Sequence, residues 1–302
     1  MGLLIAQNEG PLEAAQSYAL AVAGAEFNVA VGLSRLEQNT AYLTKLGRDP
    51  FGRLIVNTLH KNNISSELIT YSDTKNTGFM MKGRVSAGDP EIFYFRKGSA
   101  ASTLSREDVE QIQFQNYNWI HLTGILPALS ETTRDASFYL MEKARENGLT
   151  ISFDPNLRPQ LWPDQETMIS VVNSLAAKAD YIFPGTAEGK ILMGSSDPKE
   201  INDFYLKFGA KAVVTKCGSR GAYVSTPDGS FLSEGFRVEK VVDTVGAGDG
   251  FAAGTIYGLR EGMSLADAVR CGNAVGALQV MNQGDNEGLP TTEKLKSFMN
   301  HQ

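Results

Sequence analysis

From about residue 100 onward, short β-branched runs alternate with stretches of helical periodicity, and no other feature narrows the possible folds as far. Adjacent parallel strands need a crossover of a dozen or more residues, and a helix is the usual one. The strand candidates are residues 119–122, 150–153, 180–183 and 212–216. Between them lie helix candidates at 131–146, with Ser130 placed to cap the start and Gly148 to end it, and at 165–177, opened by Pro163 and Asp164. The pattern predicts an α/β chain, a mostly parallel sheet flanked by helices on both faces. Ligands of such sheets sit at the carboxyl ends of the strands.

Two segments depart from the alternation. Residues 77–85 and 91–97 are extended in pattern, and side-chain alternation puts Ile92, Tyr94 and Arg96 on one face with Phe93 and Phe95 on the other. That predicts a small β lid beside the α/β body, with strands drawn from about 1–22 and 70–97. Residues 221–225 and 230–233 flank Thr226-Pro227-Asp228-Gly229, whose Pro and Gly suit a hairpin turn. The most apolar stretch, 18–36, contains Glu26, Asn28 and Arg35, so it reads as strand, turn and helix rather than a bilayer span. Residues 1–302 read as a single α/β domain carrying this lid.

Composition excludes other classes. With 42% hydrophobic and 21% charged residues, the 302-residue chain is neither disordered nor fibrous. Its 28 Lys+Arg against 34 Asp+Glu give a charge of −6 with no basic block, which repels nucleic acid and anionic lipid. Cys217 and Cys271 cannot build a disulfide framework or a zinc site, and His60, His121 and His301 lie too far apart for ligand spacing. The start carries no basic leader region, and Ala6 stands where a myristoylation motif has Ser or Thr. The expectation is a cytoplasmic protein without a transition metal, partnered with neither nucleic acid nor membrane.

The segment richest in chemistry is Asp243-Thr244-Val245-Gly246-Ala247-Gly248-Asp249-Gly250-Phe251, which follows an apolar run at 238–242 read as a strand and opens a helical period. Small residues at Gly246, Ala247 and Gly248 let backbone approach a ligand, and the free amides of a helix start attract an anion such as a phosphoryl group. A carboxylate at Asp249 is then placed to take a proton from a hydroxyl attacking phosphorus. A first-turn acid also suits the helix dipole alone. The whole string resembles the C-terminal signature of the ribokinase-like (PfkB) carbohydrate kinases, and the likeness runs along nearly the entire chain. It implies a ribokinase-like three-layer sandwich with a β lid. It also implies an anion hole at Gly246, Ala247 and Gly248, and a catalytic base at Asp249.

Other stretches carry the same resemblance. Ala23-Gly24-Ala25-Glu26-Phe27-Asn28 is similar to the family's Gly-Gly segment and implies sugar contacts at Gly24 and Asn28. Gly47, Asp49 and Gly52 match a family turn read as structural. Lys216, Gly218, Ser219 and Gly221 resemble the nucleotide loop, and Asn273 aligns near the adenine. The family's Asn-x-x-Glu, which helps to organise Mg²⁺, reads Gly185-Thr186-Ala187-Glu188, keeping only the acid. No Walker A loop is present, so ATP is not held as in P-loop enzymes.

Tyr94, Arg96 and Arg158 suggest an acidic sugar, since guanidinium groups pair with carboxylates. The segments around them, 95–102 and 154–162, look like those of 2-keto-3-deoxygluconate kinases, and fructokinases share much of both. The resemblance therefore implies transfer of the ATP γ-phosphoryl group, with Mg²⁺, to the terminal hydroxyl of 2-keto-3-deoxygluconate, in a homo-oligomer formed through lid strands. Alternatives are a neutral-sugar kinase such as fructokinase, or a non-catalytic sugar or nucleotide sensor. A nicotinamide oxidoreductase lacks its Gly-x-Gly-x-x-Gly turn. Family members begin with a central strand ahead of the position of Leu4, so a core strand is expected before Met1.

Overall fold

The computed structural model describes residues 1–85 and 90–301. Its N-terminal part comprises β1 (Gly2–Ala6), β2 (Tyr18–Val22), α1 (Ala25–Arg35), β3 (Thr44–Gly47), α2 (Pro50–Lys61), β4 (Ile69–Ser72), β5 (Phe79–Lys82) and β6 (Ile92–Phe95). Four of these strands form the lid, in the order β2-β1-β5-β6. Ile92 and Tyr94 pack inward with Leu3 and Met80, while Phe93 and Phe95 are exposed, as strand alternation predicts. The expected lid span beginning at 70 is too long: β4 pairs parallel with β3 in a separate two-stranded sheet. The α2 crossover joins those two, which is the ordinary consequence of a βαβ connection. Residues 86–89 of the expected span lie outside the described residues.

The rest of the chain runs α3 (Arg106–Glu110), β7 (Trp119–Thr123), α4 (Glu131–Glu146), β8 (Thr150–Asp154), α5 (Gln165–Ala176), β9 (Tyr181–Ile182), α6 (Thr186–Leu192), α7 (Pro198–Leu206) and β10 (Ala212–Lys216). It continues through the hairpin β11 (Gly221–Thr226) and β12 (Gly229–Glu234), then α8 (Ala247–Arg260), α9 (Leu265–Val280) and α10 (Thr292–Asn300). The sheet order is β12-β11-β10-β9-β8-β7, parallel from β7 to β10 and antiparallel through the hairpin. Alternation along the strands makes the three layers. Ile151, Phe153 and Val213 pack with Leu140, Val172 and Tyr205 of α4, α5 and α7, while Phe183, Val214 and Val224 meet Val29, Phe251 and Ile256 of α1 and α8.

Two strand expectations need correction. The run at 180–183 narrows to Tyr181–Ile182, and 238–242 forms no strand. Val241 and Val242 are 57% and 49% exposed, and the Val242 N–H donates to Val280 O at the end of α9. Apolar content marks a strand only where a neighbouring edge can accept it.

β7 ends the six-stranded sheet and β3 ends the two-stranded one. Residues of both, among them Leu46, Trp119, His121 and Leu122, line a cavity of about 530 Å³. The Met1 amine also borders it and donates to Ala23 O at 2.8 Å, with burial pulling its pKa down to about 6. No described strand lies in this gap between β3 and β7.

Candidate active site

Asp154 and Lys216 stand at the carboxyl ends of β8 and β10 and form a buried ion pair. Opposite them α8 begins. Gly246 takes φ 78°, and a Cβ there would lie 2.0 Å from Asp285 O, so only glycine fits this turn. The first amides of α8 have no acceptor within the helix and present its positive end to the strand termini. A Cβ on Gly248 would lie 3.6 Å from Lys216 Nζ, so the ammonium stands beside these amides.

Asp249 is buried within this corner. Its Oδ2 accepts from Asn28 Nδ2 at 2.7 Å and its Oδ1 from Asn156 Nδ2 at 3.3 Å. Burial pushes its pKa up to about 7, the Asn28 hydrogen bond works against that shift, and nearby Asp154 adds to it. A carboxylate tuned near neutrality is matched to general-base work at physiological pH. Asn28, which the resemblance places on sugar hydroxyls, gives its amide nitrogen to Asp249, and its Oδ1 accepts from Asn286 Nδ2 at 3.1 Å. Gly24 precedes α1 at φ 145° with no atom closer than 3.7 Å to a Cβ placed there, so backbone conformation rather than crowding requires glycine. Asn156 was not singled out from sequence. It adopts φ 39°, which asparagine tolerates, and lies between Asp154 and Arg158 in the segment whose arginine the sequence makes a candidate.

On the lid side, Arg96 is 5% exposed and its Cζ lies 4.3 Å from the Tyr94 ring centroid. Its Nε and Nη2 have no partner among the described residues. Burial lowers its pKa, and Arg158 lowers it further. Arg158 itself is half-buried, with Nη1 donating to Leu157 O at 2.8 Å. Two neighbouring guanidinium groups, one of them buried with open donors, make a site for an anion.

Lys216, Gly218, Ser219 and Gly221, expected on the nucleotide side, form the turn from β10 into β11, where Gly218 has φ 62° and Gly221 φ 93°. Asn273 spends its Nδ2 on Ser233 O at 3.0 Å and Glu234 O at 3.1 Å, tethering β12 to α9. Glu188 accepts from Gly185 N–H at 2.7 Å and Leu157 N–H at 2.8 Å, so it caps α6 and steadies the turn carrying Asn156 and Arg158. Among the described residues no group of three or more metal-ligating acids, histidines or cysteines converges. The nearby carboxylates are taken, Asp154 by Lys216 and Glu188 by the Gly185 and Leu157 amides, so a divalent cation arriving with ATP would be held chiefly by phosphate oxygens and water rather than caged by protein.

Residues 3–292 match the pfkB family carbohydrate kinases. The chain belongs to that family. It is 47% identical over its full length to a 2-dehydro-3-deoxygluconokinase of Bacillus subtilis, covering 94% of that protein. It also matches a fructokinase of Vibrio cholerae solved with fructose, ADP and calcium, at TM-score 0.87 and 28% identity, over 98% of this chain and 96% of that one. A protein of E. coli described as ribokinase II, solved with ATP and Mg²⁺, matches at TM-score 0.90 and 25% identity over 99% and 96%. As a pfkB carbohydrate kinase the chain is an ATP-dependent sugar kinase, and among the described residues no helix is long and apolar enough to cross a membrane.

Proposed function

We propose that this kinase phosphorylates 2-keto-3-deoxygluconate (2-dehydro-3-deoxygluconate) at its terminal hydroxyl, using ATP with Mg²⁺ in the cytoplasm. The observation that carries the reading is Arg96: a buried guanidinium with two unpartnered nitrogens beside Arg158 suits a substrate carboxylate, which fructose lacks. With the carboxylate there, transfer to the terminal hydroxyl requires the far end of the sugar to reach Asp249. The Asp249 carboxylate takes the hydroxyl proton as that oxygen bonds to the γ-phosphorus, the bond to the bridging oxygen breaks, and ADP leaves. The amides opening α8 and the Lys216 ammonium steady the charge on the transferring group. Mg²⁺ accompanying ATP supplies further charge neutralisation. The lid excludes water that would otherwise divert the phosphoryl group. Two free thiols, Cys217 and Cys271, suit a reducing compartment.

The outer lid face supports a homo-oligomer through these strands, because Leu20, Phe93 and Phe95 are 63%, 54% and 45% exposed on one sheet.

An ADP-release assay across acid and neutral sugars tests the reading. Arg96→Met and Arg158→Met should each lower kcat/KM for 2-keto-3-deoxygluconate by about 10- to 150-fold, the worth of a charge-assisted contact. Turnover of fructose should fall far less. Equal losses on both sugars would make fructokinase the better reading, and no turnover on any sugar would favour a sensor.

A further inference from the structure

One buried cation stands outside the chemistry described so far. Lys82, on the lid strand β5, is 6% exposed and reaches Asp243 Oδ2 at 3.0 Å and Asp285 Oδ1 at 3.4 Å. Both acids support the anion hole. Asp243 opens its loop, accepting from Val245 N–H at 3.0 Å and from Gly284 N–H at 3.3 Å. Asp285 packs its carbonyl against Gly246, the residue that starts α8. Gln279 stitches the same two segments, donating to Val245 O at 3.2 Å and Gly284 O at 2.7 Å. Each segment behind the hole therefore carries a carboxylate, and the ammonium between them comes from the lid.

We propose that Lys82 is a positioning residue for phosphoryl transfer, clamping Asp243 and Asp285 behind the anion hole and tying the alignment of that hole to the seating of the lid. The clamp rests on the kinase reading of the Asp249 site. Without it, the buried Asp285 carboxylate and the partly buried Asp243 carboxylate would repel each other and the incoming polyphosphate. Burial alone would favour the neutral amine, but Asp285 and Asp243 outweigh it and hold the Lys82 pKa above its usual value.

In Lys82→Met, kcat should fall about 10- to 100-fold, less than loss of a direct oxyanion donor, with sugar KM changing less than kcat. Ammonium or potassium chloride should restore much of the lost kcat by entering the vacated position, whereas choline chloride at equal ionic strength should not. The double variant Lys82→Met with Asp285→Asn removes the repulsion and should recover kcat without added cation, and it carries the test if the single variant does not fold. Amide exchange at Val245 and Gly284 should quicken in Lys82→Met and slow again with ammonium, a readout independent of turnover. Retention of kcat within about threefold overturns the clamp. So does a folded variant that neither cations nor the second substitution repair. If the unmodified chain turns over no sugar, the kinase reading fails, and amide exchange alone decides the clamp.

Discussion

Asp249 sets two opposed demands on one carboxyl group. With its pKa raised to about 7, it must be ionised to accept a proton, so kcat/KM should climb with pH through about 7 and level off above. Asp249→Asn should remove that limb and cost about 10²–10⁴ in kcat while leaving ATP binding intact. Single-turnover rates within a few fold of the unmodified enzyme would discard the assignment. The same shift predicts the reverse effect on stability. The folded pKa lies above the ordinary 3.8, so ionisation in the fold costs free energy that is largest above pH 7 and fades as pH falls toward 4. Asp249→Asn should therefore stabilise the fold more at pH 8 than at pH 5, by an amount on the order of 2–4 kcal/mol at the higher pH, read as a larger rise in Tm there. Equal gains at both pH values would contradict the shift. Asp249 was legible because its loop forms one continuous string. Asn28 was legible from its segment too, but not its contact with Asp249; Asn156 and Lys82 reach that corner from separate elements, and no spacing along the chain encodes such a meeting.

The start of α8 depends on one backbone choice. Gly246→Ala would force a side chain into φ 78° and within 2.0 Å of Asp285 O, so the helix start or the neighbouring loop must shift. We expect a Tm lowered by several degrees, from a cost of about 1–3 kcal/mol, together with kcat reduced at least tenfold; an unchanged melt would mean that the turn relaxes freely. Helix limits were the most readable part of the sequence. The prediction at 131–146 meets Glu131–Glu146, with Ser130 Oγ accepting from Thr133 N–H at 3.0 Å, because capping is chemistry between close neighbours. The 238–242 run failed for the opposite reason. Whether an apolar segment pairs as a strand depends on which edges it meets in three dimensions.

The cavity between β3 and β7 governs the behaviour of the molecule as a unit. A chain extended upstream by a strand that fills it would bury the apolar walls at Leu46, Trp119 and Leu122, each Å² worth about 25 cal/mol. Such a chain should melt at a higher temperature than residues 1–302. Identical melts and identical activity would refute a role for the gap. The alternation beyond residue 100 made the parallel sheet readable, but the relation of that sheet to β3 and β4 is set by packing across distance. The gap also divides cooperativity. β3 and β4 share no ladder with the six-stranded sheet, so they can open without breaking it. Native-state hydrogen exchange should then resolve an early-opening unit of β3, α2 and β4 from a late-opening one centred on β8 to β10, and a protease added at low temperature should nick the first while leaving the second whole.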